Sequence, residues 1–296
     1  MSDGAKYWTK PWNPWVGCSP ISPACVNCWA ARDASTRMGA IAPYSTVTRL
    51  GKWTGEVAFV EKRIWEPTRW KNQRVFTCNM SDLFHELVPD EWIDQVWASM
   101  MLSPSCTFFV LTKRIERAAA YLNSPRLYSA VLHAAEKARA LNPRLSKIGL
   151  SDPTHFRSAP WIWVGTTIEN NQAREERLHH LARIPYPHWI SMEPLLEAPD
   201  MTRADLESAE VRWVVQGGES GPDARSSDVE WFQAILNVCE AAKVPAFMKQ
   251  LGAKPKALFR VRHRSGADME EWPERLRIRQ FPVFHQQKPA PVIGGS

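Results

Sequence analysis

One pattern recurs along this chain and leaves it few folds to choose from: a short β-branched or aromatic run, a polar or glycine-containing end, then a helical stretch. That is the rhythm of β/α units around a parallel sheet. Strand candidates are 74–79, 107–112, 161–166, 188–192, 211–216 and 246–249, and helix candidates are 28–38, 90–102, 115–122, 172–182 and 229–242. The pattern predicts one barrel-like α/β domain over residues 1–252. It breaks at about 124–159, where an inserted helix near 130–141 and a loop are expected, and it gives way at 253–296 to an arginine- and proline-rich extension read as a tail or lid.

Polar residues gather where each strand candidate ends. Asn79, Ser81 and Asp82 follow the first, Lys113 and Arg114 the second, Thr166, Thr167 and Glu169 the third, Ser191 and Glu193 the fourth, Gly217, Gly218 and Glu219 the fifth, and Lys249 and Gln250 the sixth. In parallel α/β folds the loops at the strands' carboxyl ends converge on one mouth, so these clusters predict a shared site. Helix capping and turn formation explain any one of them; acids, lysines and a double glycine on the same side go further. Gly217 and Gly218 are expected to let backbone approach a ligand closely.

Cys18, Cys25 and Cys28 form a C-x6-C-x2-C run near the N-terminus. If a helix opens at Cys28, the last two sulfurs lie on one side about 5 Å apart, and the segment between Cys18 and Cys25, carrying Pro20 and Pro23, cannot be helical and can fold its thiolate back. Three readings stay open: a four-iron cluster with one iron left free, a structural zinc completed by a fourth ligand such as His85 or Cys78, and a disulfide. No basic-then-apolar signal peptide is expected ahead of the trio, which argues against the disulfide. Cys78, Cys106 and Cys239 stand singly in apolar runs and read as buried free thiols.

With 44% apolar residues and no run of about eighteen apolar positions, the chain is expected to be a cytoplasmic, non-membrane protein. Its net charge of +6 favours a polyanionic partner. Fifteen tryptophans suit base stacking, although most fall in strand-like runs and are expected in the core. Arg260, Arg262, His263, Arg264, Arg275, Arg277 and Arg279 in the tail could hold phosphates, against the ordinary reading of a solvated charged face.

The stretch from Trp12-Asn13-Pro14 through Cys18, then Ser22-Pro23-Ala24-Cys25-Val26-Asn27-Cys28-Trp29, resembles the phage-associated three-Cys-motif family, a branch of the radical S-adenosylmethionine enzymes. The likeness continues through Met80-Ser81-Asp82-Leu83-Phe84-His85, Leu111-Thr112-Lys113-Arg114, Gly165-Thr166-Thr167-Ile168-Glu169, Ser191-Met192-Glu193-Pro194, Gly217-Gly218-Glu219-Ser220-Gly221 and Lys249-Gln250-Leu251-Gly252. The resemblance implies a partial (β/α)6 barrel in which Cys18, Cys25 and Cys28 hold a [4Fe-4S] cluster and S-adenosylmethionine binds its free iron. It places Ser81 and Asp82 at the methionine amino group, and Thr166, Glu169, Ser191 and Glu193 near the ribose and methionine parts. The wide first cysteine gap matches this branch, while Asn27 stands where the wider superfamily carries an aromatic. By the same resemblance the expected reaction is a radical isomerisation on DNA, converting an N-linked glycyl-thymidine to its C-linked form with an external one-electron donor. A radical lyase repairing a damaged pyrimidine and a non-catalytic zinc or iron-sulfur nucleic-acid-binding module are the alternatives.

Overall fold

The computed structural model describes residues 6–142, 144–145, 156, 159–257 and 259–284. Its centre is a seven-stranded, wholly parallel sheet curled into a half barrel: β1 Lys10–Trp12, β2 Arg74–Thr77, β3 Thr107–Thr112, β4 Ile162–Thr167, β5 His188–Met192, β6 Val211–Gly217 and β7 Ala246–Gln250. Spatial order equals chain order, so every connection returns over the same face. The helices of six residues or more among the described residues are α1 Trp29–Thr36, α2 Asp90–Met101, α3 Ile115–Leu122, α4 Leu127–Leu141, α5 Asn171–Leu181, α6 Arg203–Ser208 and α7 Val229–Ala242. The predicted mixed α/β, barrel-like organisation is thus observed, with one strand more than the six expected. That strand, β1, is three residues long with Pro11 at its centre, which a sheet edge tolerates.

The pleat sorts each strand into two faces. Phe108 and Val110, Ile162 and Val164, Ile190 and Met192, Val214 and Met248 point into the main core beneath the helices. Phe109, Trp163, Trp189, Trp213, Val215 and Phe247 point inward and close on Tyr7, filling the half barrel's lower interior with rings. Tyr7 meets Phe109, Trp189, Trp213 and Phe247 edge-on at centroid distances of 5.8, 5.7, 5.3 and 5.9 Å. Burying a ring of this size stabilises the fold by about 3 kcal/mol. Gly165 makes the packing possible: a Cβ there would stand 2.6 Å from the Trp189 indole nitrogen, which donates to the Val110 carbonyl.

The inserted helix is longer than expected, Leu127–Leu141, and packs on α2; the loop expected after it lies mostly outside the described residues. The stretch after β7 returns to the sheet. Met248 N–H donates to Ile278 O and Gln280 N–H to Ala246 O, so the chain there covers the open edge of β7. Trp272 and Leu276 join the main core, and Phe281 and Phe284 cap the ring cluster from below. The last part of the extension, 285–296, lies outside the described residues. Among the described residues no helix is long and apolar enough to cross a membrane.

Candidate functional site

Above the ring layer the inward positions turn polar. Lys113 continues the phase of Phe109 and Leu111, Thr167 that of Trp163 and Gly165, Ser191 and Glu193 that of Trp189, and Lys249 that of Phe247. Together they line a cavity of about 770 Å³ at the strands' carboxyl ends, within the range of small-molecule sites. Cys18, Cys25 and Cys28 line its other wall.

The cysteine loop differs locally from the expected helical turn. Pro23–Cys25 form a 3-10 turn, and Cys28 is the N-cap of α1 with an extended ψ of 114°. Asn27 opens the chain between them, its amide donating to Glu219 Oε2 at 3.0 Å and to the Asp223 carbonyl at 2.8 Å. Cys25 and Cys28 therefore do not share one helical turn, although all three sulfurs are half-buried on the same cavity.

Two arginine clamps fasten this loop to the barrel. Arg114, just past β3, donates to Asp82 Oδ2 at 3.2 Å, Ser19 Oγ at 2.8 Å, the Ser19 carbonyl at 3.3 Å and Glu86 Oε2 at 2.5 Å. Arg225 grips Glu219 through its backbone N–H and guanidinium and reaches the Pro23 carbonyl at 3.0 Å. Burial raises the Glu219 carboxyl, and the donors of Arg225 and Asn27 outweigh it, so the group stays below its ordinary range. Glu86 follows the same logic: burial pulls it up, and Arg114 and Ser19 hold it at about 2.

Cations also sit against the sulfurs. Lys113 Nζ is 3.4 Å from Cys25 Sγ, and Arg114 Nη1 is 3.9 Å from Cys18 Sγ. Burial raises the Cys25 thiol, but the Lys113 charge and hydrogen bonds from Ile21 and Ser22 bring it below its usual value. Cys18 is pushed up to about 12, by burial first and Asp82 second, with Arg114 offsetting part.

Four of the six predicted non-cysteine site residues reach the cavity: Ser81, Asp82, Ser191 and Glu193. Two of these are already committed elsewhere. Asp82 accepts from Thr112 Oγ1 at 2.7 Å, Phe84 N–H, Lys113 N–H and Arg114, and Ser81 donates to the Trp15 carbonyl, so both act as braces. Ser191 donates to Glu193, which pairs with Lys249 at 2.9 Å and presents one carboxylate and one ammonium to the space.

Thr166 and Glu169 are not brought there. Thr166 lies on the helix side of the pleat and donates to the Thr112 carbonyl, while Glu169 is fully buried against Arg177 at 2.7 Å. The neighbouring Thr167 takes the inward place. Of the paired glycines, Gly218 lines the cavity, and a Cβ there would stand 2.2 Å from the Leu251 carbonyl, so the close fit of the chain's own backbone already requires glycine. Sequence reasoning missed several cavity residues, among them Arg32, Arg37, Lys6 and Trp53.

Among the described residues no three His, Cys, Asp or Glu side chains converge on one point as a metal set. A [4Fe-4S] cluster fits the donor chemistry nonetheless: three thiols of one loop face one space, with two cations beside them. The zinc alternative fares worse. His85 Nδ1 accepts from Leu87 N–H, which leaves the hydrogen on Nε2, bonded to Ser19 Oγ at 2.8 Å, so both nitrogens are taken. Burial drives the Cys78 thiol far upward.

Fold and site together define a parallel α/β half barrel with a cysteine loop clamped across a charged cavity at the strands' carboxyl ends. The chain belongs to the family described as "protein of unknown function (DUF5131)", whose model matches residues 4–275. Comparison with the curated proteins gives no match, and comparison with solved structures gives none either.

Proposed function

We propose that this protein is a radical S-adenosylmethionine enzyme acting on a DNA base, with a [4Fe-4S] cluster on Cys18, Cys25 and Cys28. One observation carries the reading: the three thiols of one loop face the carboxyl-end cavity of a parallel half barrel, with Lys113 and Arg114 against two of them. When bound, the cluster and its sulfonium partner would supply an electron and a carbon radical able to remove a substrate hydrogen atom.

The chain's own residues do the rest. Lys113 favours the deprotonated sulfur of Cys25, and Arg114 offsets part of the cost of burying charge at Cys18. The ring layer below excludes water from the cavity floor. Glu193 and Lys249 offer complementary charges to an amino-acid group, whether of the cofactor or of the substrate. The substrate we assign is a thymidine bearing an N-linked glycyl group, rearranged to the carbon-linked isomer; the sequence resemblance supports it. Arg260, Arg262 and Arg264 are exposed and suit phosphates, whereas Arg275 and Arg277 pair with Glu230 and Glu270, and Arg279 binds backbone carbonyls. An external one-electron donor and cytoplasmic placement complete the proposal.

The test is iron and sulfide analysis of anaerobically purified protein, with 5'-deoxyadenosine release under reductant. Cys28→Ala is expected to lose both bound iron and cofactor cleavage, while Cys239→Ala keeps them. Full iron in the first variant, or a colourless wild-type protein with stoichiometric zinc, refutes the assignment.

A further inference from the structure

A two-residue hairpin stands beside the cavity mouth. Thr48 pairs with Trp53 and Arg49 with Lys52, leaving Leu50 and Gly51 as the loop. Both have positive φ, 51° and 76°, as a tight turn of this length demands. Asn, Asp or Gly ordinarily fills the first of these positions, because a bulky side chain in the left-handed region is strained. Here it is leucine, and its side chain is 91% exposed. The chain thus bears two costs at one residue, backbone strain and a bare apolar side chain, with no packing in return.

The surroundings say what the tip meets. Arg49 and Lys52 flank it and are exposed. Trp53, the last residue of the same hairpin, lines the cavity, as does Arg37 of the adjoining turn. The hairpin is also held in place: Gly51 N–H donates to Ser35 Oγ of α1 at 3.0 Å, and α1 begins at the cysteine loop. An apolar point between two cations, fixed next to a cavity large enough for a nucleotide, has the chemistry of side chains that enter a base stack while phosphates are held on either side.

We propose that Leu50 is an apolar wedge that enters the duplex and occupies the place of the nucleotide extruded into the cavity. This rests on the DNA-base reading above. A base inside a duplex cannot reach the cavity floor unless it leaves the stack. The wedge keeps the gap from closing, and Arg49 and Lys52 hold the flanking phosphates.

The test uses the full-length protein with a duplex oligonucleotide carrying 2-aminopurine opposite thymine, and with the same strand alone. Leu50→Asn supplies a residue the turn prefers, so thermal stability should stay equal or rise. Duplex binding is expected to weaken roughly tenfold, with loss of the 2-aminopurine fluorescence increase, while single-strand binding stays unchanged. A variant that binds and unstacks the duplex like wild type overturns the wedge and leaves the DNA reading standing. Wild-type protein that binds neither form refutes the DNA reading and the wedge together. Leu50-dependent binding to vesicles of phosphatidylglycerol, without preference for duplex, would assign the tip to a lipid surface and overturn the proposal.

Discussion

Arg114→Ala cuts the join between cysteine loop and barrel where it has the most connections. The guanidinium is 9% exposed and its partner Asp82 equally so, which puts the pair in the buried class. Breaking a buried ion pair costs about 3–5 kcal/mol. Asp82 keeps three donors, Thr112 Oγ1 and the N–H groups of Phe84 and Lys113, so the lower end applies, near 3 kcal/mol. Glu86 is 54% exposed, and losing its contact adds only about 0.5 kcal/mol after solvent screening.

The acid side carries a second signature. Glu86 is held at about 2 against an ordinary 4.5, so its stabilising contribution is fully present above the ordinary value and disappears as pH falls through the folded one. Without Arg114 the carboxyl keeps only the Ser19 and backbone hydrogen bonds and titrates closer to its ordinary value, so the difference between wild type and variant should shrink between pH 5 and pH 2. Urea unfolding across that range measures both quantities. A loss under about 1 kcal/mol at pH 7 would refute the buried-pair argument, and a pH-independent difference would refute the Glu86 assignment. Arg114→Lys keeps the charge without the fork and should fall between the two.

Glu193→Ala should weaken the response to S-adenosylmethionine at least tenfold while iron content stays at the wild-type level; an unchanged titration removes Glu193 from the binding surface. Gly165→Ala forces a methyl against the Trp189 indole and carbonyl, and should cost about 1–3 kcal/mol and alter the near-ultraviolet circular dichroism. Unchanged stability would mean the ring layer is looser than described.

The strands from β2 to β7 were legible because each is a dense β-branched or aromatic run with a polar end, and α3 and α7 match their expected bounds residue for residue. β1 escaped notice because three residues around a proline show no alternation. The site was legible as strand ends, but not its phase. Thr166 ends the expected strand and so reads as a mouth residue, but the pleat that turns Trp163 inward gives that face to Thr167. Glu169 looked like a mouth residue until its partner appeared eight positions on, as Arg177 of α5. The clamps were invisible for a different reason. Arg225 and Asn27 are 198 positions apart in sequence yet meet on one carboxylate, Glu219.

The stack of rings closing the lower half of the barrel makes the chamber blind. On the proposed reading, whatever reacts there enters and leaves above the ring layer, from the side of the strands' carboxyl ends. If the substrate is the DNA strand proposed above, a small molecule bound at the deep end would have to arrive before the strand settles across the opening, and spent fragments would leave only after it lifts away. Turnover on a long strand would then proceed by repeated release and rebinding, one visit for each altered unit, instead of by sliding from one unit to the next.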